Sequence, residues 1–179
     1  FAPGHCRQTV QAMPPGPRRD IAMAEYYYFT GHPAQAARAA EPYLTSPDMG
    51  LHLSACLIYA YASLSLKRAQ RAKFALGELN ASLASAGAQV PRFRAAAAFV
   101  AFAGTVLLHL PLPEEIPQVE SFLPLLPPGL RAFALYVQAH YLYLKKEYAH
   151  SAGMVEATLA MGASAYPISA IYLHLVAVM

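Results

Sequence analysis

The sequence predicts an all-α fold in which antiparallel helical hairpins stack into a right-handed superhelix, an α-solenoid. Three observations carry this expectation. Apolar residues recur at spacings of three and four in one segment after another, and Gly or Pro punctuates the ends. Small residues return at a repeating step: Ala36 with Ala40, Ala72 with Leu76, then Ala152 with Glu156, which are steps of 36 residues and then about two times 40. In each case an aromatic-rich helix precedes a short turn and an Ala-containing second helix. Small residues are needed where adjacent helices cross closely, while Tyr27, Tyr43, Leu79 and Tyr136 are large enough to fill the space between hairpins. A unit that can bury its apolar face only against its neighbours follows the logic of a repeat array.

Residues 1–17 mix Pro, Gly and polar side chains without periodicity, which predicts an extended, disorder-prone lead-in. The helical-repeat domain is expected over 18–179. Its first helix runs from Arg18 to Thr30, with Ile21, Ala24 and Tyr28 on one stripe and Gly31 as the stop. After His32, Pro33 suits a first helical position, and Ala36, Ala37, Ala40, Tyr43 and Leu44 form a close-packing stripe. Pro42 predicts a kink or an early end near Glu41. Ser46, Pro47 and Asp48 mark the next break, before a third helix over Met49 to Leu66 and a fourth ending near Ala86, closed by Gly87. Pro91 opens a helix to about Leu110. A turn at Pro111 to Pro113 precedes a short helix from Glu114 to Leu126, ended by Pro127, Pro128 and Gly129. Leu130 to Lys145 and Glu147 to Met161 make a fourth hairpin, and Ile168 onwards starts a fifth that lacks its partner.

A chain of 179 residues is long enough to bury a substantial core. The start at Phe1 and the stop inside the apolar run Ile168 to Met179 predict a piece of a larger protein, truncated at its C-terminal end. That end is expected to pack on missing repeats or on a second copy, so self-association is open. A net charge of +3 with 13% charged residues argues against a phosphate-binding surface. Cys6 and Cys56 lie far apart with no dense cysteine framework, which favours a reducing, cytoplasmic setting. The stretch from Ala95 to Pro113 holds no Asp, Glu, Lys or Arg and is long enough to span a membrane. Its Ala and Gly content, His109 and its terminal prolines instead favour a helix buried on all sides, and no membrane contact is expected.

The period is looser than the roughly 34 residues of an ideal tetratricopeptide repeat, so the match is to a tetratricopeptide-like superfamily. Several strings go further: AEYYYFTG at Ala24 to Gly31, EPYL at Glu41 to Leu44, LSACLIYAYASLSL at Leu53 to Leu66, VLLHL at Val106 to Leu110, and YPISAIYLHLVAV at Tyr166 to Val178. With these the chain resembles the helical-repeat region of large LuxR-type transcription regulators of the MalT-like kind, over about Ala22 to Met179. The resemblance implies the middle, sensory part of a three-part protein whose ATP-binding module precedes it and whose helix-turn-helix follows. No GxxxxGK phosphate loop and no recognition helix occur in this chain, so ATP or DNA would be bound only by modules outside it. The implied partner is an unidentified small-molecule effector or a protein, and the resemblance licenses no ligand residues.

No cofactor and no catalysis are expected. His52 and Cys56 stand one turn apart, and His140 and His150 are near in sequence, but zinc needs three or four convergent ligands and neither pair has a companion motif. No GxSxG elbow occurs. Glu114 and Glu115 stand at a helix start, where the dipole favours negative charge. Lys67, Arg68, Arg71 and Lys73 are assigned to the start of a helix, which the dipole disfavours, so solvent or an acidic partner would have to compensate. The 12 tyrosines, with no tryptophan, are mostly packing residues. In a superhelix the first helix of each hairpin lines the concave face, and aligning the repeats places Glu25, Tyr28, Tyr61, His109 and Tyr141 as ligand or partner groove positions. A general tetratricopeptide adaptor, holding a peptide in the same groove, is the alternative reading; a helix-turn-helix and a nucleotide loop in the full-length product would separate the two.

Overall fold

The computed structural model describes residues 3–85, 91–108, 110, 123–126 and 128–160. Among these residues the chain is all-helical, with eight α-helices and no strand. They are α1 (Pro3–Ala12), α2 (Pro17–Phe29), α3 (Pro33–Ala40), α4 (Met49–Ser65), α5 (Ala69–Ser85), α6 (Pro91–Leu107), α7 (Pro128–Leu144) and α8 (Tyr148–Ala160). Prolines open α2, α3, α6 and α7, where a missing N–H costs no helical bond. Asp48 caps α4 by accepting the Leu51 N–H at 3.0 Å. Pro42 acts as its position predicts: α3 stops at Ala40 and tightens into a 3-10 turn over Glu41–Tyr43.

The lead-in differs from expectation, because α1 occupies most of it. Residues 4–12 contain no proline, so the helical run is interrupted only when Pro14, Pro15 and Pro17 remove successive N–H donors. The helix expected over Glu114 to Leu126 and the one from Ile168, like the Gly87 stop, lie largely outside the described residues; Leu123–Leu125 is a 3-10 turn.

The hairpin turns share one construction. After α2, the His32 N–H bonds to the Tyr27 carbonyl and the Gly31 N–H to that of Tyr28. After α4 the same pair of bonds runs from Arg68 to Ser63 and from Lys67 to Leu64; after α7 it runs from Glu147 to Leu142 and from Lys146 to Tyr143. This is the Schellman cap, in which a residue at positive φ satisfies the last helical carbonyls. Gly31, Lys67 and Lys146 hold that position with φ of 83°, 57° and 66°. At the end of α6 the Leu110 N–H reaches the Thr105 carbonyl, the longer bond of the same motif. Each turn then releases the next helix at once: Ala36, Ala72 and Ser151 donate to the carbonyls of His32, Arg68 and Glu147.

Lysine in the left-handed region is strained relative to glycine. Lys146 is exposed, so Lys146→Gly is expected to stabilise the chain by about 0.5 kcal/mol, the strain relief outweighing the added unfolded-state entropy. Lys146→Val, with a branched Cβ, should lower stability by about 1 kcal/mol. Urea unfolding midpoints of the two variants check the sign.

The extensive contacts run between neighbours. Among the described residues, first helices pack on their own partners (α2 on α3, α4 on α5, α7 on α8) and on the next first helix (α2 on α4, α4 on α6, α6 on α7). The second helices α3 and α5 pack on the next first helices, α4 and α6. Helix α4 is therefore surrounded, and twelve of its seventeen residues are buried. Helix α6, the apolar stretch weighed against a membrane span, is a packed core helix with Phe99, Val100, Ala103 and Val106 buried. No described helix is long and apolar enough to cross a membrane.

The basic cluster is split: Arg71 and Lys73 lie at the start of α5 as expected, whereas Lys67 and Arg68 precede it. Helix α5 starts at Ala69, so Lys67 and Arg68 lie beyond the end of α4, where positive charge complements the dipole. The Lys67 Nζ also donates to the Leu107 carbonyl at 2.7 Å, capping the end of α6 in the next hairpin. Arg71 donates to the Tyr59 hydroxyl at 3.2 Å, and Tyr59 donates to Glu41 at 3.3 Å, tying α5 through α4 to the end of α3.

Candidate functional site

The first helices of the hairpins turn their aromatic residues toward one another. Tyr28 of α2 lies 4.4 Å from Tyr61 of α4, between ring centroids, and 6.4 Å from Phe133 of α7 in an edge-on contact. Phe133 meets Phe99 of α6 edge-on at 5.6 Å and stacks with Tyr136 at 5.8 Å. Phe102 and Tyr141 continue the contact between α6 and α7 at 5.7 Å. Tyr28, Phe99 and Phe133 are completely buried. The shared inner side of the first helices is thus an aromatic spine that joins α2 to α7 through residues more than 100 positions apart in sequence.

This decides where the predicted groove residues lie. Tyr28, Tyr61 and Tyr141 are 0%, 2% and 2% exposed, so they are spine residues and not the lining of an open groove. The sequence of each repeat in isolation conceals that Phe133 closes over Tyr28. Glu25, one turn before Tyr28, is exposed, and its charge helps to raise the Tyr61 pKa. The structure brings Glu25, Tyr28 and Tyr61 together and leaves Tyr141 with Phe102 farther along the spine. His109 lies outside the described residues.

Burial sets the electrostatics. Desolvation pushes the Tyr61 hydroxyl well above its ordinary pKa, reinforced by Glu25 and Tyr28, and desolvation with Glu147 raises Tyr141. Tyr43 is raised because its hydroxyl donates to Asp20 at 2.5 Å. The Cys56 thiol is pushed up to about 12 by burial and by Glu78. All four groups hold their protons more tightly in the folded chain than in the unfolded one. Their contribution is therefore fully present below the unfolded pKa values, near 9 for the thiol and 10 for the phenols, and is lost as pH rises above them. Thermal midpoints should be flat to about pH 8.5 and fall beyond it, and Tyr61→Phe should flatten the decline. A decline of the same steepness in Tyr61→Phe would contradict this assignment.

The histidines and the cysteine weighed as metal ligands make structural contacts, and Glu114 and Glu115 lie outside the described residues. His52 is buried and bridges two hairpins: its Nδ1 donates to the Leu44 carbonyl at 2.7 Å, which leaves Nε2 to accept from the Ser82 hydroxyl at 2.7 Å. Cys56 lies against the same ring with its sulfur 3.8 Å from Nδ1. His150 pairs with Glu147 on the surface at 3.1 Å, and His140 contacts the Tyr136 hydroxyl. No three metal-ligating side chains converge among the described residues.

Sequence reading missed a half-open apolar pocket of about 150 Å³ between α5 and α6, lined by Leu64, Ala72, Leu76, Val100, Gly104 and their neighbours. The signal available was the set of small residues Ala69, Ala72, Ala101 and Gly104 on facing helices, which pattern alone reads as close packing. No protein-family model, curated protein or solved structure matches this chain.

Proposed function

We propose that this chain is a tetratricopeptide-like array of helical hairpins that serves as the ligand-sensing or protein-interaction segment of a LuxR-type transcription regulator of the MalT-like kind. Its helix-turn-helix would lie outside this chain. The observation that carries the array is the recurrence of one Schellman turn at Gly31, Lys67 and Lys146, joined to packing that runs from each hairpin to the next. A right-handed superhelix is the arrangement such units adopt when each is rotated slightly against the last. The string resemblance supplies the regulatory context.

The spine suggests how such a segment would signal. A ligand or partner that favours one packing of successive hairpins shifts the whole stack, because α2, α6 and α7 meet through Phe133. Deleting residues 18–160 from the full-length protein and following a reporter under its target promoter tests the role. The sensor reading expects transcription that no longer responds to growth conditions. A full-length product with no helix-turn-helix would sink that reading in favour of a peptide-binding adaptor.

A further inference from the structure

We propose that the array hinges at the seam between α5 and α6, with the aromatic spine as its pivot and the Lys67 ammonium as the latch that holds the seam closed at one end. The seam before it is fastened by directional bonds. Tyr59 of α4 accepts from Arg71 of α5 at 3.2 Å and donates to Glu41 at 3.3 Å. His52, two turns earlier on α4, meets the Leu44 carbonyl and the Ser82 hydroxyl, each at 2.7 Å. The end of α3 is thereby tied to α5 across α4 at two places. Across the next seam, among the described residues, one hydrogen bond passes from the earlier hairpins to α6: the Lys67 Nζ donates to the Leu107 carbonyl at 2.7 Å.

The packing of this seam is one-sided. Phe99 and Ala101 are two residues apart on α6 and so project to nearly opposite sides of it. Phe99 is completely buried against Phe133 in the spine, whereas Ala101 is exposed. Ala101 lies where two open-sided depressions between α5 and α6 meet, one of about 480 Å³ reaching Ala84 and Ala98, the other of about 150 Å³ reaching Ala72 and Gly104. Side chains this short interdigitate little, and the open side forgoes the dispersion contacts that resist sliding. A Cβ built on Gly104 would meet only the Leu64 Cδ2, at an ordinary 3.6 Å, so no close approach locks the helices there. Rings in contact on one side and a gap on the other are the geometry of a hinge. Lys67 stands at φ 57°, where glycine would be unstrained, and its ammonium supplies what glycine cannot, a donor for a terminal carbonyl of α6. Because Lys67 is exposed, water takes over its ammonium when the seam opens.

The test is double electron–electron resonance on the 179-residue chain carrying Cys6→Ser, with the buried Cys56 left unlabelled. Spin labels at Arg38→Cys on α3 and Ala157→Cys on α8 span the seam; labels at Arg38→Cys and Asn80→Cys lie on the same side of it, and all three positions are exposed. Lys67→Met is expected to broaden the first distance distribution about twofold and to leave the second unchanged. Lys67→Arg keeps a cation of similar reach and should restore the narrow distribution, which separates loss of the latch from a disturbed turn. An unchanged first distribution in Lys67→Met, equal broadening of both pairs, or the same broadening in Lys67→Arg overturns the proposal. The use of this hinge in signalling rests on the sensing reading; the hinge itself does not, and the reporter experiment leaves it untouched.

Discussion

Replacing Phe133 by alanine is expected to destabilise the chain by about 3–5 kcal/mol, the range for emptying a fully buried aromatic site. The ring touches Tyr28, Phe99 and Tyr136, so the cavity opens where α2, α6 and α7 meet. Location makes the loss informative. In an array held only by adjacent contacts, a defect in α7 would loosen α7 and α8 and spare α2. With the spine intact in the native chain, Phe133→Ala should also speed amide exchange in α2, which is read by hydrogen exchange with peptide resolution. Faster exchange confined to α7 and α8 would show that the contact with Tyr28 carries no energy.

His52→Ala is expected to cost about 2–4 kcal/mol. Two hydrogen bonds are lost, of which the one to the Leu44 carbonyl is buried and leaves that carbonyl without its donor, and a void is left against Cys56. His52→Gln keeps one donor and one acceptor on a side chain of similar reach and should recover part of the loss. A chelator should leave the thermal midpoint of the unaltered chain where it is, because both ring nitrogens are committed to Leu44 and Ser82. A midpoint that falls on chelation would restore the metal reading of His52 and Cys56.

Much of the helical layout is legible in the sequence, because proline and capping residues act locally. Pro33, Asp48 and Pro91 mark starts, Gly31 marks a stop, and Pro42 ends α3 early, all within the reach of one or two turns. The turns at Lys67 and Lys146 carry no such mark. Lysine rarely takes positive φ, and the backbone bonds that hold it there appear only once the hairpin has formed. Helix α1 was hidden by flanking prolines, which spoil a window average without entering residues 4–12.

The site was legible only as a side of a helix. Small and aromatic spacing assigns Tyr28, Tyr61 and Tyr141 to the inner side of the first helices, but whether that side is open depends on a partner from another hairpin. Phe133 is that partner for Tyr28. Its distance along the chain, 105 positions from Tyr28, puts it beyond any periodicity argument. The half-open pocket beside Gly104 was invisible for a related reason: the same alanines and glycine that let helices touch can also leave them apart, and only the packed arrangement distinguishes the two.

The most direct test of the central claim, that this segment works by binding, is a native mass spectrum of the full-length protein taken from its own cells. The expected result is a bound small molecule or partner protein that remains with this segment after limited proteolysis. A bare mass under every growth condition, with the segment folded, would contradict it.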